Sequence, residues 1–222
     1  MHAFLFDFDG VIVDSERHWA QADTTFFPTI APGYDASDVR NMMGLGLRSG
    51  YDYLRKRRGL SLSFEEYSTV VEAEVGDIYT QKAQLLPGAG ALIARMQSPE
   101  MRIGIASSSK RAWIDAALTR LGLVDAFPVI ATADDVNGRT KPDPAVYLHA
   151  ADALHVEPTT CIALEDSDNG IAAALSAGMT CIALRTDMNP TQTLTQAHHT
   201  VYGLDEVTDA LLKNLSRSIL RP

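Results

Sequence analysis

One strand-like run in this chain stands far from the others it resembles. Ala3 to Phe8 (AFLFDF) is apolar and aromatic except at Asp7, the pattern of a strand covered on both faces in a parallel sheet. Its counterparts are Arg102 to Ala106 (RIGIA), Cys161 to Leu164 (CIAL) and Cys181 to Leu184 (CIAL), with Val129 to Thr132 (VIAT) as a weaker fourth. A lone strand leaves its backbone groups unpaired and does not persist by itself. The chain must therefore leave the sheet after its first strand and return to it much later.

Between the later runs lie helical patterns. They are Lys110 to Leu121, stopped by Gly122; Pro144 to Leu154, with Asp143-Pro144 as N-cap and first helical residue; and Ile171 to Ala177, stopped by Gly178. Strand and helix alternate through this half, which predicts an α/β fold: a doubly wound parallel sheet with helices on both faces. Residues 15–85 hold no buried strand but do hold helical segments at Val39 to Met43, Gly50 to Arg57 and Phe64 to Tyr79. They read as a helical domain inserted after the first strand, with Leu86-Pro87-Gly88 as the return crossing. Residues 1–14 and 86–222 then form one Rossmann-like core.

The 222 residues carry a formal charge of −9, which offers no basic surface for nucleic acid or an anionic membrane. Acidic residues interrupt the later apolar runs before any could span a bilayer, and the amino terminus enters AFLFDFDG without a basic leader, so a cytoplasmic soluble protein is expected. Cys161 and Cys181 sit in the repeated string TCIAL and read as reduced core residues, with the echo as two similar strands.

The first strand runs into FDFDGVIVD. Residues two apart on a strand share a face, so Asp7 and Asp9 can converge at its carboxyl end, with Gly10 permitting a sharp turn beyond. In open parallel sheets that edge, near a reversal of strand order, is where ligands bind; a loop-capping pair of aspartates fits the same string. Three more stretches fall at the carboxyl ends of other strands. Ser107-Ser108-Ser109 offers hydroxyl and free N–H groups to a phosphate, or simply caps the next helix. Lys141 in TKPDP is a point charge suited to phosphate, or a solvated loop lysine. Glu165-Asp166-Ser167-Asp168 supplies hard-oxygen ligands for Mg²⁺, or a helix-capping run. In combination these groups suit phosphoryl transfer, with a carboxylate nucleophile, a cation to neutralise phosphate oxygens and a second acid to exchange a proton.

These stretches, in this order and spanning nearly the whole chain, resemble the motifs of the haloacid dehalogenase superfamily, in its helical-cap branch close to the β-phosphoglucomutase-like phosphatases. The motifs stand here as DFDGVIVDS from Asp7 to Ser15, Ser107 in IASSS, Lys141 in KPDP and Glu165-Asp166 in LEDSDNG. The resemblance implies that Asp7 is the nucleophile that becomes phosphorylated and Asp9 the general acid and base. Ser107, with Ser108, and Lys141 would hold the phosphoryl group, and Mg²⁺ would bind Asp7, the Asp9 backbone carbonyl, Glu165 and Asp166. Residues 15–85 become a cap hinged at Val13 to Glu16 and Gln84 to Gly88, with Asp14 a hinge or cap-entry residue outside the chemistry.

Specificity is expected from the cap. Gly44-Leu45-Gly46-Leu47-Arg48-Ser49 reads as a substrate loop or as an inter-helix turn with a solvated arginine, and Trp19 as facing the cleft or filling the cap core. Arg55-Lys56-Arg57-Arg58 reads as a solvated helix end near Gly59. Mutase members of the resembled group carry a histidine where this chain has Trp19, with His18 one position off, and place the cap arginine nearer its glycine than Arg48 is to Gly44. Both departures favour a phosphatase over a mutase, and the expectation is a Mg²⁺-dependent phosphatase of a small phosphorylated metabolite, a sugar or sugar-acid phosphate. Since a closed cap can complete the site without a partner chain, a monomer is expected. A hexose-phosphate mutase is the alternative enzyme. A non-catalytic phosphometabolite-binding protein would not need a nucleophile paired with an acid.

Overall fold

In the computed structural model, which describes residues 2–99 and 101–219, the first strand lies in the middle of the sheet. β1 (Ala3–Phe6) pairs in parallel with β2 (Arg102–Ala106) on one side and β4 (Cys161–Glu165) on the other. Beyond β2 lies β3 (Val129–Ala131); beyond β4 lie β5 (Thr180–Leu184) and β6 (His199–Val201). The order is β3-β2-β1-β4-β5-β6, all parallel. The chain builds outward from β1 through β2 to β3 and then returns to β4, so strand order reverses between β1 and β4, and a crevice opens beyond their carboxyl ends. β6 is not among the expected strands: its three residues, His-Thr-Val, include one apolar side chain, too little to mark a buried strand.

Burial on both faces follows from the alternation within each strand. In the two TCIAL segments, Ile162, Leu164, Ile182 and Leu184 enter one apolar cluster, and Cys161, Ala163, Cys181 and Ala183 the other. The echo is thus two neighbouring strands with the same inward and outward pattern, and both cysteines are buried free thiols.

Between β1 and β2 the chain forms α1 (Glu16–Thr25), α2 (Phe27–Ile30), α3 (Ala36–Met42), α4 (Leu47–Arg58) and α5 (Phe64–Asp77), closed by a wide helical turn at Ile78–Lys82. The exit and return segments pair with each other. Asp14 N–H donates to the Gln84 carbonyl at 2.9 Å, Gln84 N–H donates to Asp14 Oδ1 at 2.6 Å, and Leu86 N–H donates to the Ile12 carbonyl at 2.9 Å. Asp14 therefore ties the two crossings together. The apolar residues of these helices, Phe27, Leu54, Tyr67 and Val71 among them, continue the cluster on one face of the sheet.

After the return, α6 (Ala89–Met96) leads to β2, α7 (Arg111–Leu121) to β3, α8 (Ala145–Ala153) to β4 and α9 (Asp168–Ser176) to β5, with α10 (Asp209–Ile219) last. α9 starts earlier than Ile171 because the Ser167 hydroxyl accepts from Gly170 N–H and caps it. Asp143 Oδ1 accepts from Ala145 N–H at 2.9 Å, one residue out of register with the expected N-cap. No helix among the described residues is long and apolar enough to cross a membrane. Met1, Glu100 and residues 220–222 of the expected core lie outside the described residues.

Candidate active site

The loops leaving β1, β2 and β4 meet the turn carrying Lys141 at the crevice. Asp7, one residue past β1, and Lys141 are both buried, with Nζ 2.6 Å from Asp7 Oδ1 and 2.6 Å from Glu165 Oε1. Glu165, the last residue of β4, also accepts from the Tyr147 hydroxyl at 2.5 Å. One ammonium thus serves two of three buried carboxylates. The third, Asp166, has a buried Oδ2 without a hydrogen-bond partner, and ligand oxygens of Asp7, Glu165 and Asp166 lie within 4.8 Å of one another. Burial, followed by Glu165, pushes the Asp7 carboxyl up to about 8 despite Lys141. Burial, then Glu16, Asp7 and Glu165, likewise drives Asp166 well above the usual range. Burial alone would lower the Lys141 ammonium, but Asp7 and Glu165 hold it above its ordinary value. Three buried acids against one lysine is a deficit of positive charge, and an orphaned carboxylate oxygen in a hard-oxygen donor set is what a divalent cation satisfies. The residues present fit Mg²⁺.

β2 runs directly into Ser107-Ser108-Ser109. Ser107 Oγ accepts from Ser109 N–H at 3.0 Å, and Ser108 Oγ is buried without a partner at the cavity wall. Ser109 Oγ donates to Asp9 Oδ2 at 2.6 Å. On its other oxygen Asp9 accepts from Ser15 Oγ at 2.5 Å and from the Tyr79 hydroxyl at 2.8 Å. Trp19 Nε1 donates to the Tyr79 oxygen at 3.1 Å, and the Tyr79 ring stacks on Trp113 with centroids 5.1 Å apart, so that hydroxyl is fixed in place. Trp19 borders the cavity. Ser15 and Ser109 stand within the sequence motifs, but nothing there tied them to Asp9. Tyr79 carried no signal, being one of seven tyrosines on a helical segment remote from every motif.

The helices after β1 close over this edge. Gly44 N–Cα geometry lies in the left-handed region at φ +76°, and a Cβ there would sit 2.4 Å from Ser167 Oγ. At Gly46 a Cβ would meet Thr140 Oγ1 at 2.6 Å and the Ser108 carbonyl at 2.7 Å. Both glycines are there for close approach between the two parts of the chain. Across the same seam Asn169 Nδ2 donates to the Met43 carbonyl at 2.8 Å, Gln192 Nε2 to the Arg40 carbonyl at 3.1 Å, and Lys110 pairs with Glu72. A cavity of about 330 Å³ remains between them, bordered by Asp7, Asp9, Ser107, Ser108, Lys141 and Gly44.

Two arginines of the helices between β1 and β2 differ from expectation. Leu47, Arg48 and Ser49 form the first turn of α4, not a loop, and Arg48 does not border the cavity: it pairs with Asp52 at 3.3 Å and covers the Phe64 ring at 4.7 Å. Arg58, expected in a solvated helix end, instead bridges Asp35 at 2.6 Å and the buried Asp38 at 2.5 Å, which between them form the capping box of α3.

A profile of the haloacid dehalogenase-like hydrolases matches residues 4–184. The chain belongs to that family. It is 35% identical over 213 residues to YhcW of Bacillus subtilis (strain 168), covering 95% of each protein, whose name assigns it only provisionally to the phosphatases. It is 33% identical over 213 residues to the validoxylamine A 7'-phosphate phosphatase of Streptomyces hygroscopicus subsp. limoneus, covering 96% of this chain and 93% of that one. Among solved structures, the β-phosphoglucomutase of Clostridium difficile superposes with a TM-score of 0.82 over the full length of both chains at 26% identity. The superposition extends over the sheet and the helices between β1 and β2 alike, and the family match agrees with the resemblance drawn from the four motifs.

Proposed function

We propose that this hydrolase is a Mg²⁺-dependent phosphatase of a small phosphorylated carbohydrate, acting through a phosphorylated Asp7. The observation that carries the reading is the contrast between two aspartates two residues apart. Asp7 pairs with a lysine, and its carboxylate lies within 4.8 Å of those of Glu165 and Asp166, a set suited to a divalent cation; a carboxylate attacks a dianionic phosphate only where positive charge offsets their repulsion. Asp9 instead has three neutral hydroxyls against its oxygens, and because a hydroxyl can accept as well as donate, the carboxyl can hold or release a proton without losing its partners.

In this mechanism the Ser107 and Ser108 hydroxyls and Lys141 receive the phosphate. The Asp7 carboxylate attacks phosphorus as the bond to the leaving oxygen breaks, and Asp9 gives its proton to that oxygen. Asp9 then takes a proton from the water that attacks the aspartyl-phosphate, which releases inorganic phosphate and restores both aspartates. Bound at Asp7, the Asp9 backbone carbonyl, Glu165 and Asp166, Mg²⁺ would neutralise the phosphoryl oxygens. Residues 15–85 serve as the cap that keeps solvent from the first step. One chain supplies every group, so a monomer suffices.

The structural likeness to a mutase makes that the second reading. A mutase must also hold a second phosphate, and among the described residues bordering the cavity Lys141 is the one cation. The test is phosphate release from carbohydrate monophosphates in Mg²⁺, lost on chelation of the ion. Conversion of a sugar 1-phosphate to its 6-phosphate with a bisphosphate activator, without net phosphate release, would support the mutase instead.

A further inference from the structure

The half of the cavity away from Asp7 has a composition of its own. α1 turns one face inward: Glu16, Trp19, Ala20 and Asp23 border the cavity, at the three-, four- and seven-residue spacings of one side of a helix. Asp23 stands two turns beyond Glu16, about 10 Å along the axis and away from the catalytic aspartates. Its Oδ1 accepts from the Tyr34 hydroxyl at 2.5 Å, and its other oxygen has no partner among the described residues. Tyr67, which interacts electrostatically with Asp23, also borders the cavity, and Phe27, Met42, Leu47 and Val71 give the wall formed by the helices after β1 an apolar character. The one cation bordering the cavity, Lys141, is committed to Asp7 and Glu165 at the opposite end, and Arg48 is turned to Asp52.

We propose that the substrate is a phosphomonoester whose organic part carries hydroxyl or amine donors and no second anionic group, and that Asp23 is the cap residue that selects it. This rests on the reading of Asp7, Ser107 and Lys141 as the phosphate end. A carboxylate or second phosphate at the far end of the ligand would face Asp23 without a compensating charge. A hydroxyl or ammonium there donates to the free carboxylate oxygen, a charge-assisted bond that also sets specificity. The apolar wall covers the carbon skeleton.

Three ligands of one carbon chain test this: a hexitol monophosphate, the corresponding aldonate monophosphate and the hexitol bisphosphate. Their Kd values are measured by calorimetry on the Asp7→Asn protein in Mg²⁺, so that turnover does not intervene. The hexitol monophosphate is expected to bind at least about thirtyfold more tightly than either anionic partner, about 2 kcal/mol. Adding Asp23→Asn, or Asp23→Ser should the amide disturb the Tyr34 contact, should shrink that gap to a few-fold. Equal binding of the three ligands, or a gap that survives the Asp23 substitution, would overturn the proposal. Phosphate release from acetyl phosphate by the wild-type protein checks the hydrolytic reading separately: its absence would defeat that reading, while the Kd ratios still decide selectivity.

Discussion

At the residue scale the site turns on how Asp9 is held. Ser15, Ser109 and Tyr79 donate three hydrogen bonds to its two oxygens, and Tyr79 is itself fixed by Trp19 and Trp113. General acid–base catalysis contributes about 10²–10⁴-fold, so Asp9→Asn should lower kcat by that order on alkyl phosphates. Tyr79→Phe removes one positioning bond and keeps the ring. It should lower kcat about tenfold on a sugar phosphate with KM little changed, and much less on an aryl phosphate, whose leaving oxygen needs no proton. Equal losses on both substrates would assign Tyr79 a purely structural role. Asp7, Ser107 and Glu165 were legible as polar residues at the ends of apolar runs, and Lys141 as the lysine just before the Asp143-Pro144 helix start. Tyr79 was not, because only the return of the chain to the sheet brings it near Asp9.

At the element scale, α4 begins at Leu47 and its preceding glycines set the seam. Gly46 has an ordinary φ of −75°, so an alanine there costs no backbone strain, and its effect comes from the clash with Thr140 and the Ser108 carbonyl. Gly46→Ala should leave thermal stability near wild type while kcat/KM falls at least about tenfold, since a small misplacement of a closing element is enough to cost activity. A stability loss with unchanged kcat/KM would contradict this. The other end of α4 supplies Arg58 to the α3 capping box. Burial alone would raise the Asp38 carboxyl, but Arg58, the Asp35 N–H and the Tyr53 hydroxyl hold it below its usual range. A carboxyl lowered on folding binds fewer protons in the native state, so its stabilisation is complete above about pH 4 and is lost as pH falls through the lowered value. Asp38→Asn should therefore cost about 1.5–3 kcal/mol at neutral pH, a difference from wild type that narrows in acid. Parallel unfolding curves for the two proteins down to strongly acidic pH would show that the clamp contributes nothing. The basic run Arg55 to Arg58 gave no hint of this, since a solvated helix end and a buried clamp have the same sequence and differ only in which acids lie opposite.

At the scale of the whole molecule, the displaced first strand dictated most of the architecture. An unpartnered strand at 3–8 forces the chain back, and the alternation after residue 100 fixes a parallel sheet into which β1 inserts centrally. The topology then follows, and with it the convergence of Asp7, Ser107, Lys141 and Glu165 on one edge. Short or polar pieces were beyond reach: β6, with one apolar residue, and the contacts between α1 and the catalytic edge, which depend on the docking of elements remote in sequence. The account as a whole stands on Asp7 as a nucleophile, and the most direct measurement is an acid quench during steady turnover in Mg²⁺, followed by peptide mass mapping. It predicts a phosphoryl adduct on the peptide containing Asp7, with both adduct and phosphate release lost in Asp7→Asn. Full Mg²⁺-dependent phosphate release from the Asp7→Asn protein, with no adduct on the wild type, would contradict it.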